Sequence, residues 1–328
     1  MNNILITGGC GFLGTKLIES LSINNVNIRV IDNLTTGTRS DLANVAKYKE
    51  ILVSDINGPP TGVELVVGDI LDAQFAISVA KGCEIIVHFA ANTGVGPSVE
   101  NPRFDCMTNV IGTFNYLEAA RINKINRFVF ASSGAPAGEV DPPIHEELPP
   151  HPVSPYGASK LAGEGYCSAY SKTFNIDTVM LRFGNVYGPG SLHKNSLVAK
   201  FIRQALSGEV LEIYGSGSQT RDFIYIDDLI SAVILAIHTP NIGGEVFQIA
   251  SNMEITVGNI TEQLVSILKS EGILKISSIN GEKRLGDVMR NYSDTSKAQK
   301  ILGWMPKMNL SKGLQKTVEY FLQGKGLL

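Results

Sequence analysis

The first half of the chain alternates short β-branched runs with amphipathic stretches, the pattern of parallel strands joined by crossover helices. Residues 3–7, 27–31, 64–67, 85–89, 127–131 and 178–181 read as strands. Between them, residues 13–21 and 110–121 carry apolar side chains at three- and four-residue spacing, so each lays one stripe on a sheet. The expected fold class is α/β, a doubly wound parallel sheet with helices on both faces. Residues 141–155 are rich in proline and lack periodicity, and they read as a surface loop before a helix that opens at Ser154 and Pro155. Beyond Asn185 the alternation becomes irregular, with helical stretches at 197–206, 227–237, 257–270 and 310–322. The expected division is a dinucleotide-binding domain over 1–184 with a returning segment near 219–248. A smaller C-terminal substrate-binding lobe would comprise 185–218 and 249–328. No internal repeat or low-complexity tract interrupts this pattern.

Composition narrows the function. The 328 residues are enough for one large α/β unit or two closely packed domains, with 44% hydrophobic residues and a formal charge of -3. That charge provides no basic field, so nucleic-acid binding is not expected. There is no apolar run of about 18 residues, and Asn2-Asn3 leads directly into the first strand. A cytoplasmic protein with no membrane partner is expected. Cys10, Cys83, Cys106 and Cys167 lack CxxC spacing, so reduced thiols and no metal site are expected.

The chemistry begins at Gly8-Gly9-Cys10-Gly11-Phe12-Leu13-Gly14, between the first strand and the first helix. Glycines there permit a tight turn and close approach of a pyrophosphate to backbone N–H groups at a helix N-terminus. Asp32 ends the second strand near the roughly 20-residue separation at which an acid accepts hydrogen bonds from the adenosine ribose. The carboxylate would repel a 2′-phosphate, and Asn33 rather than arginine follows it, so NAD is the expected cofactor. Arg39 is close enough to leave NADP as the alternative. Candidate cofactor contacts are Gly8, Gly11, Phe12 and Leu13 in the turn, then Asp32, Asn33 and Gly37. Asp69 and Ile70 follow the third strand, and Phe89, Ala90 and Ala91 follow the fourth. Asp69 reads equally as a turn cap, and His88 reads as structural.

Tyr156-Gly157-Ala158-Ser159-Lys160 sets a phenol and an ammonium one helical turn apart, on one face. Bringing a tyrosine pKa from about 10 to about 7 requires roughly 4 kcal/mol of preferential phenolate stabilisation. Lys160, a positively charged nicotinamide and the nearby helix N-terminus supply charge of the right sign. Ser132 and Ser133 close the fifth strand at the carboxyl edge of the sheet, where ligands bind. Ser133 is the candidate that bridges substrate oxygen and tyrosine, giving the catalytic set Ser133, Tyr156 and Lys160.

These residues together resemble the extended short-chain dehydrogenase/reductase family, specifically its NAD-dependent nucleotide-sugar epimerases and dehydratases, over nearly the whole chain. The resemblance implies a Rossmann-type domain and a nucleotide-sugar substrate. Asn109, in Asn109-Val110-Ile111-Gly112-Thr113, matches a helix-start motif that supports the active site, and Phe183 and Val186 fall beside the cofactor. Asn185 would hold the substrate diphosphate, while Leu197 and Tyr214 would frame the nucleotide. Arg221 and Arg284 would supply two guanidinium forks, with Asp287 beside them. Asn291 lies where side-chain bulk decides whether an N-acetyl group fits on the sugar. A homodimer is implied, paired through the helices at 110–121 and 156–173.

One departure from the family pattern matters. Dehydratases of the family carry an Asp-Glu pair directly after the hydroxyl residue, because elimination of water needs an acid and a base there. Here Gly134 and Ala135 follow Ser133. The expected reaction is therefore epimerisation at C4 through a transient 4-keto sugar. Alternatives are a nucleotide-sugar decarboxylase, a net dehydrogenase or reductase, and a non-catalytic dinucleotide sensor. The sensor would be marked by a broken Tyr-Lys pair, and here the pair is intact.

Overall fold

In the computed structural model, which describes residues 3–23, 26–282 and 286–324, the apolar runs form an eight-stranded sheet. The strands are β1 (Asn3–Thr7), β2 (Asn27–Asp32), β3 (Lys49–Glu50), β4 (Val63–Val67), β5 (Ile85–His88), β6 (Arg127–Ser133), β7 (Asp177–Phe183) and β8 (Glu245–Ile249). They stand in the order β8-β7-β6-β5-β1-β2-β4-β3, every neighbouring pair parallel. All six expected strands are present. β3 and β8 were not expected, and β5 ends at His88 rather than Phe89. Period-two alternation sends side chains to opposite faces. Ile4, Ile6, Val30, Val87, Val129 and Leu181 enter one core, whereas Leu5, Ile31, Ile86, Phe128, Phe130 and Met180 enter the other.

Chain order runs outward from β1 in one direction through β2 and in the other through β5, so the β1–β5 boundary is a topological switch point. In such sheets the crevice outside the carboxyl ends of the strands at this boundary binds ligands. The glycine turn and the helix α1 (Phe12–Ser22) stand at its mouth. Among the helices that follow are α2 (Ala73–Val79), α3 (Pro102–Cys106), α4 (Gly112–Ile122), α5 (Pro155–Phe174), α6 (Leu197–Ser207), α7 (Ile226–His238), α8 (Val257–Ser270) and α9 (Leu310–Gly324). The helix expected over 110–121 differs in one respect. Residues Met107–Ile111 form a π-helical turn that joins α3 to α4 without a break. Asn109 therefore lies inside a continuous helical run rather than at a helix start, and the widened turn is of the kind often found at functional sites.

Three short pairings accompany the main sheet. Asn185–Tyr187 runs parallel to Phe223–Tyr225, Leu211–Tyr214 parallel to Ser278–Gly281, and Thr220–Arg221 antiparallel to Ile255–Thr256. The proline-rich loop is tied down at Ile144, whose N–H donates to the Tyr292 carbonyl at 2.8 Å and whose carbonyl accepts from the Asp294 N–H at 2.9 Å. Among the described residues no helix is long and apolar enough to cross a membrane.

Candidate active site

The turn after β1 is held to β2 by the Gly8 N–H, which donates to the Ile31 carbonyl at 2.7 Å. Gly8 has φ +66°, and a Cβ there would stand 2.9 Å from the Ala90 nitrogen. A Cβ on Gly37 would stand 2.3 Å from the Cys10 carbonyl, so the loop after β2 also packs backbone to backbone on the turn. Gly11 caps α1 and, having no side chain, makes no side-chain hydrogen bond to it. No side chain caps the first N–H groups of α1, which fits a dinucleotide pyrophosphate. Phe12 and Leu13 open that helix, half-buried.

Asp32 is held at the end of β2 by two backbone donors. The Cys10 N–H reaches Oδ2 at 2.9 Å and the Leu34 N–H reaches Oδ1 at 2.8 Å. Burial pushes its pKa up while these two donors pull it down. Each oxygen keeps a lone pair for a ribose hydroxyl. Asp69 caps its own turn through the Leu71 N–H at 2.9 Å, which is the turn-cap reading, and also accepts from Asn33 Nδ2 at 3.1 Å. Arg39 is gripped by Glu50 through Nε and Nη2, both at 2.8 Å, which occupies the cation that kept NADP open. His88 is buried against Tyr116, Phe128 and Phe130, and its Nδ1 meets the Thr7 hydroxyl at 2.9 Å. Burial lowers its pKa to about 3, so it stays neutral and has a structural place.

α5 opens where the Ser154 hydroxyl accepts from the Gly157 N–H at 3.1 Å, and it carries Tyr156 and Lys160 to the end of β6. The Ser133 hydroxyl hydrogen-bonds Tyr156. Lys160 Nζ donates to the Ala131 carbonyl at 2.8 Å and lies 5.9 Å from the Tyr156 ring centroid. Burial pushes Tyr156 up to about 12, against the pull of Ser133, and lowers Lys160 to about 8. Ser132, the other strand-end serine, is turned away from this chemistry. Its hydroxyl donates to Glu164 at 2.5 Å, and Glu164 receives Nε and Nη2 of Arg182 at 2.8 and 2.7 Å. Both partners of this pair are almost fully buried. Glu164→Gln strands the Arg182 charge and is expected to cost about 3–5 kcal/mol of stability. Chemical denaturation checks this, and a loss under about 1 kcal/mol would refute the role given to the pair.

The substrate-side residues are more scattered. Asn185 is exposed after β7, with Val186 and Leu197 half-buried beyond it. Tyr214 lies 4.9 Å, ring centroid to Nζ, from Lys200. Arg221 Nη2 pairs with Asp287 Oδ1, and its Nη1 donates to the Val288 carbonyl at 2.9 Å. Arg284 lies outside the described residues. Asn291 faces the departure noted in the sequence: a Cβ on Gly134 would stand 3.6 Å from Asn291 Oδ1. Two features read separately along the chain thus border one space. Among the described residues no group of three or more His, Cys, Asp or Glu side chains could hold a metal.

Residues 4–250 match the family model described as the NAD dependent epimerase/dehydratase family. The chain belongs to that family. NAD is accordingly its cofactor, in agreement with the glycine turn and Asp32. A putative UDP-glucose 4-epimerase of Methanocaldococcus jannaschii is 36% identical, with 97% of each chain covered. A crystal structure of a UDP-glucose 4-epimerase with UDP-glucose, from Thermotoga maritima, is 33% identical with a TM-score of 0.87, covering 99% of this chain and 100% of that one. A dTDP-glucose 4,6-dehydratase of Streptomyces niveus is 31% identical over 97% of this chain and 92% of its own. Overall likeness therefore does not separate epimerase from dehydratase.

In this member of the family several residues around Asn109 carried no readable signal in the sequence. Asn109 accepts the Asn92 N–H at 2.8 Å, and its amide nitrogen lies 3.0 Å from Asp105 Oδ1, the Asn92 carbonyl and Ser159 Oγ. Lys194, in the loop before α6, is half-buried, and its charge reaches Lys160. Asp105, Asn92 and Ser159 are brought together only by the packing of α3 on α5. The one available clue was an acidic residue one turn before Asn109 on a helical stretch.

Proposed function

We propose that this family member is an NAD-dependent epimerase that inverts C4 of a nucleotide-activated sugar, a UDP-hexose, UDP-N-acetylhexosamine or UDP-uronate. The observation that carries this reading is an intact Ser133–Tyr156–Lys160 set with Gly134 and Ala135, rather than an acid and a base, directly after the serine. Elimination of water needs that second pair, whereas epimerisation needs only one group to move one proton.

The glycine turn and Asp32 would hold NAD, which would supply the acceptor and donor of a hydride at C4. Tyr156 takes the C4 hydroxyl proton, with the Ser133 hydroxyl donating to the developing phenolate. Lys160 and the N-terminus of α5 favour that anion. Asn185, Arg221 and Arg284 hold the diphosphate, Leu197 and Tyr214 frame the nucleotide and Asp287 lies beside the arginines, which leaves the keto sugar free to turn over. The space bordered by Gly134 and Asn291 accommodates the sugar's variable substituents, and Lys194 favours an anionic one.

The same reading assigns 1–184 with 219–248 to the cofactor, the remainder to the substrate, and a cytoplasmic location to the protein. It also assigns a homodimer interface to α4 and α5, to which the preceding α3 and π-helical turn add surface. Phe104, Met107, Ile111, Tyr166 and Phe174 leave large apolar side chains exposed along those helices, a surface that suits a second copy.

A proton NMR time course with a panel of UDP-hexoses, UDP-N-acetylhexosamines and UDP-glucuronate, without added cofactor, tests the reaction. Conversion of one sugar to its C4 epimer is the expected result. Appearance of a pentose, or change only on addition of NAD or NADH, would replace epimerisation by decarboxylation or net redox.

A further inference from the structure

Lys160 is 3% exposed, and its hydrogen-bond partner is the Ala131 carbonyl. No carboxylate stands within ion-pair distance of it among the described residues. A buried ammonium in that position loses its proton readily unless a negative charge nearby offsets the lost hydration.

Two buried carboxylates exert that influence on Lys160, Asp105 and Glu164. Glu164 is already neutralised, because Arg182 grips both of its oxygens. Asp105 has no such cation. It is fully buried on α3; Oδ1 accepts from Asn109 Nδ2 at 3.0 Å and from Asn92 Nδ2 at 3.3 Å. Oδ2 is buried and makes no hydrogen bond of normal geometry among the described residues; burial raises the carboxyl's pKa, and the neighbouring Ser159 and Asn92 side chains and the Lys160 charge pull it down. A buried carboxylate oxygen left unpartnered is costly, and its retention beside the reactive pair requires an explanation.

Resting on the reading of Tyr156 and Lys160 as the reactive pair, we propose that Asp105 supplies the counter-charge for the Lys160 ammonium. Through Asn109 and Ser159, whose hydroxyl donates to the Tyr156 carbonyl at 3.0 Å, it also positions the turn of α5 that carries the phenol. Asp105 is a positioning residue. Its charge opposes a phenolate on Tyr156 as well, so the neutral Asn109 and Ser159 between them serve as spacers that let it act on Lys160 from a distance. The charged and titratable groups around the pair are Tyr156, Glu164 and Cys167 on α5, Lys194 before α6, neutral His88 on β5, and the exposed Glu100, Arg103 and Cys106 near Asp105 itself. Lys194 repels the Lys160 charge, and among these groups only Asp105 is a buried carboxylate without a cation.

The test is made on the full-length NAD-loaded protein with isotopically labelled lysine, observed at Cε. The Lys160 signal is identified as the one missing from Lys160→Met. Asp105→Asn keeps an acceptor for Asn109 and removes the charge, and Asp105→Ser does the same with a smaller side chain should the first variant not fold. Either is expected to lower the Lys160 titration midpoint by about one pH unit or more, whereas Asn92→Ala leaves it in place. The alkaline limb of kcat falls to lower pH by the same amount with KM little changed, because Lys160 then loses its charge earlier as pH rises. An unchanged midpoint in the Asp105 variants, or an equal shift in Asn92→Ala, overturns the proposal. Because the titration is read on the protein, a wild type that turns over no nucleotide sugar defeats the epimerase reading while leaving this result to be judged separately.

Discussion

Replacing Tyr156 with phenylalanine is expected to lower kcat by about 10³-fold or more, with NAD still bound and the fold unchanged. General acid–base groups contribute typically 10²–10⁴-fold, and in the proposed cycle this phenol exchanges the C4 proton in both half-reactions. The ring itself remains beside Lys160, and the lost oxygen had one side-chain partner, Ser133, which half-exposed solvent can replace. The NMR conversion assay measures the loss, and bound nucleotide released on denaturation reports the cofactor. Full activity in Tyr156→Phe would reject Tyr156 as the acid–base group. Loss of NAD together with activity would instead make it a cofactor anchor.

Gly14→Ala is expected to have the second large effect, on stability and cofactor together. The added Cβ would stand 2.4 Å from the Gly8 carbonyl oxygen and 2.4 Å from Gly9 Cα, both backbone atoms of the turn. No flexible side chain is available to give way, so α1 must lift from the turn. The expected cost is about 3 kcal/mol, at the upper end for overpacking, with at least a tenfold loss of NAD affinity. Gly11→Ala provides the contrast, because its Cβ meets only the Gly8 oxygen, at 3.2 Å. Thermal unfolding with and without NAD separates the two effects, since ligand that binds only the folded state stabilises it by an amount that grows with the logarithm of its affinity. Equal behaviour of the two variants would show that the third glycine is not a packing requirement.

The contrast between these two glycines shows what could be read along the chain and what could not. Their spacing is visible in the sequence, but the different contacts of their missing Cβ atoms exist only once α1 packs on the turn. Ser132 and Ser133 are a second such pair. Both end the same strand, and only the pairing of β6 with β7 sets Ser132 against the Glu164–Arg182 pair and leaves Ser133 to Tyr156. β3 escaped notice because it is two exposed residues with no apolar pattern. β8 escaped because its run is short and lies where the alternation had become irregular, and its place is decided by register against β7. Asn109 was legible as a motif, although the π-helical turn that presents it depends on α3 continuing into α4.

The sequence by itself determined the α/β alternation, the glycine turn with Asp32, and the one-turn spacing of Tyr156 and Lys160. All of these follow from local rules of period, turn geometry and helix pitch. The tertiary structure alone decided which serine meets the phenol, that Arg39 belongs to Glu50, that Asn291 borders the space beside Gly134, and that Asp105 lies buried against Asn109. Each of those depends on contacts between residues distant in sequence and on charge buried away from water. Local pattern cannot encode either of these.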